Sequence, residues 1–206
     1  MSASEPLVFI ISGPSGSGKS TLARKILELP GTMLSVSCTT RPPRGTESNG
    51  KWYNFVSEAE FQRMVAQGEF LEYAQVFGKN WYGTPRKSLD EAVRMKKDLV
   101  LEIDVQGALQ VKRKVPGAVA MFVLPPSRTE LERRIRARGQ DSEEEIHRRL
   151  ERARQEMLSC SSYDFAIIND ELDRAVKEVQ AIALGSRCRV SRNEEQIRDI
   201  LNSFGG

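Results

Sequence analysis

Histidine and cysteine are scarce in this sequence. Of 206 residues only His147 is a histidine, and Cys38, Cys160 and Cys188 are far apart and form no C-x-x-C pair. An odd number of widely spaced cysteines with a single histidine argues against both a disulfide framework and a zinc site. It also argues against a Ser–His nucleophile and fits a reducing compartment, so we expect a cytoplasmic protein.

Long apolar runs and an excess of one charge are also missing. No segment reaches the ~18 apolar residues of a membrane helix, and the N-terminal MSASEP lacks the basic and apolar regions of a signal peptide. Lysine and arginine number 31 against 28 acidic residues, a net charge of +3. We therefore expect no membrane and no nucleic-acid partner, while a homo-oligomer stays open.

Short apolar runs alternate with segments of helical periodicity. Residues 7–12 (LVFIIS) and 118–126 (AVAMFVLPP) are typical of buried parallel strands, whereas residues 20–29 have apolar side chains at helical spacing. This alternation predicts an α/β fold with a central parallel sheet flanked by helices. It also predicts one strand over 33–37 and a helix over 84–96 with Pro85 in its first turn.

The segment GPSGSGKS fits the P-loop pattern G-x-x-x-x-G-K-[ST] and lies between a predicted strand and a predicted helix. Backbone N–H groups of such a loop face phosphates. Lys19 should reach the β- and γ-phosphates, and the Ser20 hydroxyl should bind Mg²⁺. We therefore expect ATP to contact Gly13, Pro14, Ser15, Gly16, Ser17, Gly18, Lys19, Ser20 and Thr21.

Two carboxylates end the apolar run LVLEID. Asp104 lies where a P-loop protein carries its metal-side acid, and Glu102, two residues earlier, lies on the same strand face. The carboxyl ends of parallel strands are where such sheets bind ligands. The alternative is that Asp104 caps a turn and that Glu102 is merely tolerated.

The segment RPPR contains two arginines on a stiff backbone. Prolines favour polyproline geometry with a repeat of ~3 residues, so Arg41 and Arg44 would point to one side and could bind a phosphate dianion. The hydroxyls of Tyr53 and Tyr82 could help. The alternative is a surface loop with solvated charges. For the nearby Trp52, Phe55 and Trp81 we favour the core of a small lobe.

One arginine-rich region occupies residues 133–154. Many of its charges have i,i+4 partners, which is typical of a solvated helix. Arg134 and Arg138 share a helix face next to Gly139, a candidate hinge. A cationic face on a mobile segment could close over the γ-phosphate and neutralise the transition state.

The order and spacing of the motifs resemble a guanylate kinase of the nucleoside monophosphate kinase type. The resemblance extends over residues 7–184 and rests on SGPSGSGKSTL, SVSCTTRPPRGTESNGKWYNFV, EFLEYAQVFGKNWYGTP, LEIDVQGA, FVLPPS, LERRIRARG and IINDELDRA. It implies a P-loop core (1–37, 91–125 and 157–206), an inserted GMP-binding lobe (38–90) and a lid (126–156). It also implies transfer of the γ-phosphoryl group of ATP to GMP or dGMP with Mg²⁺.

The resemblance also assigns individual residues. It implies that Ser20 and Asp104 hold the metal, that Lys19 is catalytic, and that Asn169 lies near the adenine. The arginines around the transferring phosphate would be Arg134, Arg138 and Arg149. The GMP-binding residues would be Ser37, Glu72 and Thr84 as the guanine-reading residues, Arg41, Arg44, Tyr53 and Tyr82 at the phosphate, and in addition Glu102 and Asp104.

Hydrogen-bonding chemistry independently supports Glu72 as a residue that binds guanine. Guanine presents N1–H and N2–H₂ side by side, so one carboxylate accepts both hydrogen bonds. Adenine has an acceptor at N1 and would leave that carboxylate unpaired, which a site rejects strongly. The alternative is that Glu72 is an ordinary charge at a strand edge.

Three other functions compete with a guanylate kinase. A non-enzymatic module of this fold could bind a phosphorylated peptide, but the intact P-loop with Lys19 argues against it. A kinase for another nucleoside monophosphate is disfavoured by Glu72. A P-loop switch or regulatory ATPase would not explain a second phosphate site.

Overall fold

The computed structural model describes residues 5–76, 78–137, 139 and 142–205. A central sheet of five parallel strands has the order β2-β7-β1-β8-β9. Its strands are β1 Val8–Ser12, β2 Thr32–Leu34, β7 Asp98–Glu102, β8 Val119–Leu124 and β9 Phe165–Ile168. The predicted α/β fold with a central parallel sheet is therefore confirmed.

Helices cover both faces of this sheet. Over all described residues, including those outside this sheet, the α-helices are α1 Lys19–Ile26, α2 Glu58–Ala66, α3 Lys87–Met95, α4 Val105–Lys114, α5 Arg128–Arg136, α6 Glu143–Met157, α7 Leu172–Arg187 and α8 Glu194–Ser203. Alternate residues of β1 point to opposite faces: Phe9 packs with Leu22 of α1, and Ile10 packs with Val111 of α4. Burial on both faces explains why β1 and β8 are continuous apolar runs.

A second, mixed sheet has the order β4-β3-β6-β5. Its strands are β3 Ser37–Thr39, β4 Tyr53–Phe55, β5 Phe70–Val76 and β6 Asn80–Pro85. Phe61 of α2 stacks on Phe70 with ring centroids 4.5 Å apart, and Trp81 packs against the same cluster, as predicted. Trp52 instead lies under the guanidinium of Arg24 on α1, 4.6 Å from the ring centroid.

Two sequence predictions in this region are wrong. Residues 33–37 form parts of two strands, because the chain leaves the central sheet after the Ser35 N–H donates to the Val100 carbonyl. Pro85 is the last residue of β6 and not part of the helix, which begins at Lys87. A proline fits at this strand end because β5 opposite is irregular between Phe70 and Glu72.

Helices α5 and α6 form a small layer with its own core. Leu131 and Ile135 of α5 pack against Ile146 and Leu150 of α6. Ser127 and Ser142 cap these helices by accepting hydrogen bonds from backbone N–H groups. The predicted site residue Arg138 falls outside the described residues. Among the described helices, none is sufficiently long and apolar to span a membrane.

Candidate active site

The P-loop follows β1 and ends at the first turn of α1. Gly13 and Gly18 have φ angles of 140° and 97°. A Cβ at Gly13 would lie 2.3 Å from the Val123 carbonyl oxygen, and one at Gly18 would lie 2.1 Å from Nδ2 of Asn169. Gly13 therefore requires glycine for its backbone angle and for the close approach of the β8 backbone, and Gly18 requires it for its backbone angle and for the close contact with the Asn169 side chain.

Three side chains from distant parts of the sequence contact this loop. Arg134 of α5 donates to the Ser17 carbonyl oxygen (3.3 Å) and to the Asn169 carbonyl oxygen (2.8 Å). The buried Asn169 donates through Nδ2 to the Ser17 carbonyl (2.7 Å), and Arg149 of α6 donates to the Ser15 hydroxyl (2.7 Å). The structure thus brings Arg134, Arg149 and Asn169 to the P-loop. The adenine contact of Asn169 stays a prediction.

The first turn of α1 faces the carboxyl end of β7. The Ser20 hydroxyl donates a hydrogen bond to Glu102, and not to Asp104. Asp104 is the N-cap of α4, where its side chain accepts from the Gly107 N–H at 2.9 Å. The capping alternative considered for Asp104 is thus realised in this structure.

Asp104 lies in a charged environment. Burial raises the pKa of the Asp104 carboxyl, whereas the Gly107 amide and the positive charges of Arg152 and Lys19 oppose that rise. Lys19 therefore acts electrostatically on the same carboxylate that the sequence predicts at the metal site. Carboxylate and hydroxyl oxygens close to the P-loop lysine are groups that can bind a metal ion together with phosphate.

The sequence interpretation missed part of this cluster. Arg152 and Glu156 of α6 form an ion pair at 2.8 Å, which the i,i+4 spacing alone assigns to a solvated helix. However, the side chains are only 26% and 17% exposed, and Glu156 lies within the electrostatic influence of Lys19 and Asp104. The sequence does contain a pattern that indicates this location: Arg152 follows Arg149 by about one helical turn and so lies on the same helix face.

The predicted guanine-reading residues form one row across the second sheet. Glu72 on β5 pairs with Thr84 on β6, and the pairing of Cys38 with Gly83 places Ser37 of β3 opposite Thr84. The Thr84 hydroxyl donates to Oε1 of Glu72 at 2.7 Å. Two hydroxyls and a carboxylate thus lie side by side on adjoining strands.

Glu72 is almost completely buried. Its exposed fraction is 3%, and burial raises the pKa of its carboxyl to about 7. Gly107 of α4 approaches it so closely that an added Cβ would lie 2.4 Å from Oε2 of Glu72. A glycine at position 107 therefore leaves room for the carboxylate. The sequence reasoning did not identify this residue, because the contact joins α4 to a different sheet.

The predicted phosphate-binding residues lie together near β4 and β6. Nε of Arg41 donates to the Tyr82 hydroxyl at 3.2 Å, and the Arg41 guanidinium lies 5.3 Å from the ring centroid of Tyr53. Burial raises the pKa of Tyr53, so its hydroxyl stays protonated at neutral pH. Arg41 is 6% exposed, whereas Arg44 is exposed to solvent. The two arginines thus have different environments.

The geometry defines a class of protein before any comparison. A P-loop on a parallel sheet, arginines reaching it from a helical layer, and a buried carboxylate with two hydroxyls on a second sheet are typical of a P-loop kinase with a separate acceptor site.

Comparisons with known proteins identify the family within this class. The sequence model of the guanylate kinase family matches residues 5–184. The chain is 47% identical to a guanylate kinase of Caldanaerobacter subterraneus subsp. tengcongensis over 190 residues, which cover 92% of each protein. It is 44% identical to the Escherichia coli guanylate kinase over 192 residues, again 92% of each.

A solved structure gives the same result. The crystal structure of guanylate kinase from Anaplasma phagocytophilum superposes with a TM-score of 0.77 at 35% identity, covering 92% of this chain and 90% of the other. The chain belongs to the guanylate kinase family. The predicted family, fold class and enzyme class, an ATP:GMP phosphotransferase, are confirmed.

Proposed function

We propose that the P-loop and the row formed by Ser37, Thr84 and Glu72 are the two nucleotide sites of an ATP:GMP phosphotransferase. The observation that carries the proposal is the buried Glu72–Thr84 pair on a sheet separate from the P-loop. A protein that binds only ATP does not need a second site with a desolvated carboxylate, which is costly unless a partner satisfies it.

The guanine is held by Glu72. Its carboxylate accepts from N1–H and N2–H₂ of the base, and the hydroxyls of Ser37 and Thr84 complete the hydrogen bonding at the base edge. The phosphate of GMP is held by Arg41, Arg44, Tyr53 and Tyr82. The 3.2 Å contact between Arg41 and Tyr82 supports a common site for these side chains.

ATP binds at the P-loop. Residues 13–20 wrap its phosphates, and Lys19 and Ser20 begin the helix whose N-terminus faces them. Arg134, Arg149 and Arg138 contribute positive charge to the transferring phosphoryl group. Two of these arginines, Arg134 and Arg149, have contacts to the loop that support this role.

The residues at the end of β7 fit Mg²⁺. The hydroxyl of Ser20 and the carboxylates of Glu102 and Asp104 supply oxygen ligands, and Mg²⁺ in phosphoryl-transfer sites is held by one or two carboxylates together with substrate phosphates and water. When bound, Mg²⁺ would neutralise charge on the β- and γ-phosphate oxygens. The contact between Ser20 and Glu102 adds Glu102 to the predicted metal ligands Ser20 and Asp104.

Transfer needs no general base. A phosphate monoester has its second pKa near ~6, so GMP is largely a dianion at neutral pH and is already nucleophilic. Catalysis then consists of positioning and charge neutralisation, with the lid (126–156) and the GMP lobe (38–90) excluding water from the core. We place this activity in the cytoplasm.

A coupled assay of ADP formation against GMP, dGMP, AMP, CMP and UMP tests the proposal. We expect turnover with GMP and dGMP and little with the other monophosphates. A phosphopeptide-binding module would give no ADP with any of them, and a kinase for another nucleotide would show a different preferred acceptor. Either result would refute the proposed function.

A further inference from the structure

Glu47 lies in the loop after the RPPR segment and has no assigned role. Its carboxylate accepts three hydrogen bonds. Oε2 accepts from Nη1 of Arg41 (2.7 Å) and from the backbone N–H of Arg44 (2.8 Å), and Oε1 accepts from Nη2 of Arg41 (3.1 Å). One side chain thus connects both arginines of the predicted phosphate site.

Arg41 depends on this partner because it is buried. Its exposed fraction is 6%, and its guanidinium lies against the rings of Tyr53 and Phe55, at 5.3 and 5.5 Å from the centroids. A buried guanidinium without a carboxylate pays a large desolvation penalty. The two-point contact with Glu47 also fixes the plane of the guanidinium, as fork-like arginine–carboxylate pairs do.

The hydrogen bonds of Arg41 show which edge Glu47 leaves available. A planar guanidinium has five N–H hydrogens. Glu47 accepts from the edge formed by Nη1 and Nη2. The second N–H of Nη1 donates to the Pro42 carbonyl oxygen at 2.8 Å. The Nε–H and the second Nη2–H form the adjacent edge, where the Nε–H donates to the Tyr82 hydroxyl at 3.2 Å. This edge therefore faces the other predicted phosphate ligand.

We propose that Glu47 is a positioning residue of the acceptor site, which orients Arg41 so that its Nε–Nη2 edge receives the phosphate of the monophosphate substrate. The inference rests on the proposed function. A competing role, in which Glu47 occupies the phosphate position and leaves when substrate binds, is disfavoured by the geometry. Glu47 contacts the edge away from Tyr82, and its departure would remove the acceptor of the Arg44 N–H.

The substitution Glu47→Gln tests this role. Glutamine keeps the size of the side chain but has one acceptor oxygen, and its amide N–H₂ would face a donor of Arg41. Glu60→Gln is a matched control: Glu60 makes the same kind of two-point contact with Arg63, at 2.9 and 2.7 Å, on α2 of the same lobe. Binding of GMP and of guanosine, which lacks the phosphate, is measured by calorimetry.

We expect Glu47→Gln to weaken GMP binding about tenfold and to leave guanosine binding unchanged. The KM for GMP should rise while the KM for ATP stays constant, and Glu60→Gln should change none of these values. Glu47→Asp keeps the charge but is shorter, so it should restore part of the loss. If Glu47→Gln does not fold, binding of GMP and guanosine is compared in Glu47→Asp instead. We then expect a smaller loss of GMP affinity and again no change for guanosine.

Two results would overturn the inference. Tighter or unchanged GMP binding in the variant would mean that Glu47 competes with the phosphate or does not act on it. An equal loss for GMP and guanosine would mean that Glu47 only maintains the lobe. Failure of the proposed function is distinguishable, because the unmodified chain would then form no ADP with GMP.

Discussion

The ionisation of Glu72 predicts that GMP binding weakens below neutral pH. Burial raises the pKa of this carboxyl to about 7; the Asp104 carboxylate acts in the same direction, while the Thr84 hydrogen bond and Lys114 oppose it. Only the ionised carboxylate can accept from both N1–H and N2–H₂ of guanine, because the acid carries a donor at one oxygen. Binding of GMP below pH 7 must therefore release a proton from Glu72.

The size of the effect follows from the ionised fraction. With a pKa of about 7, roughly one tenth of Glu72 is ionised at pH 6, so affinity should fall about tenfold per pH unit, or ~1.4 kcal/mol. The contribution to folding has the opposite sign. The folded pKa lies above the usual 4.5, so the neutral acid stabilises the fold below that value, and this stabilisation is lost as pH rises to about 7.

The measurement is a calorimetric titration with GMP from pH 5.5 to 8 on the unmodified chain and on Glu72→Gln. The phosphate of GMP, with a pKa near ~6, titrates in both proteins, so the difference between the two profiles isolates Glu72. Glu69→Gln is the control, since Glu69 lies just before β5, is only partly buried and pairs with Arg63.

Two results would refute the reasoning. Parallel pH profiles for the unmodified chain and Glu72→Gln would show that Glu72 does not ionise when GMP binds. Separately, Glu72→Gln should lower kcat/KM for GMP and bring IMP, which lacks the N2 amine, closer to it, while AMP stays poor. An unchanged ratio of GMP to IMP would mean that Glu72 does not read guanine.

Three further predictions concern other parts of the site. Lys19→Ala should remove most turnover while calorimetry still detects GMP binding, because the acceptor residues lie on the second sheet; near-normal turnover would contradict the role of the P-loop. Arg41→Ala should weaken GMP binding by about 1.5–3 kcal/mol and leave binding of an unreactive ATP analogue unchanged, with Arg63→Ala as control; equal losses for both ligands would exclude a dedicated monophosphate site. Gly107→Ala should raise the KM for GMP, because the added Cβ would lie 2.4 Å from Oε2 of Glu72, whereas Gly185→Ala on α7 meets no atom within 4 Å and should have no effect; equal effects of the two variants would show that the contact with Glu72 is not needed.

The central sheet is predictable from the sequence for a physical reason. Strands such as β1 and β8 are buried on both faces, so they appear as continuous apolar runs between turn residues. The second sheet gives no comparable pattern. Strands β3 and β4 have three residues each, too few for a period to appear, and the apolar run over 33–37 continues across the gap between two sheets.

The sequence predicts which residues form the candidate site better than it predicts how they lie relative to one another. The P-loop pattern identifies its residues because the glycines, Lys19 and Ser20 all lie within the single short segment 13–20. The row formed by Ser37, Thr84 and Glu72 depends on strand pairing across three segments, which local periodicity does not encode. Likewise, the ion pair between Arg152 and Glu156 follows from spacing, but its burial follows from where α6 lies.

The segment DVQG shows how one short motif connects the two halves of the site. Asp104 caps α4 by accepting from the Gly107 N–H, and the missing side chain of Gly107 makes room for Glu72. The carboxylate assigned to the metal side and the carboxylate assigned to guanine are therefore separated by a single helical turn, and the charge of Asp104 raises the pKa of Glu72. The same short segment thus holds Asp104 at the start of the helix and leaves space for the Glu72 carboxylate beside its first turn.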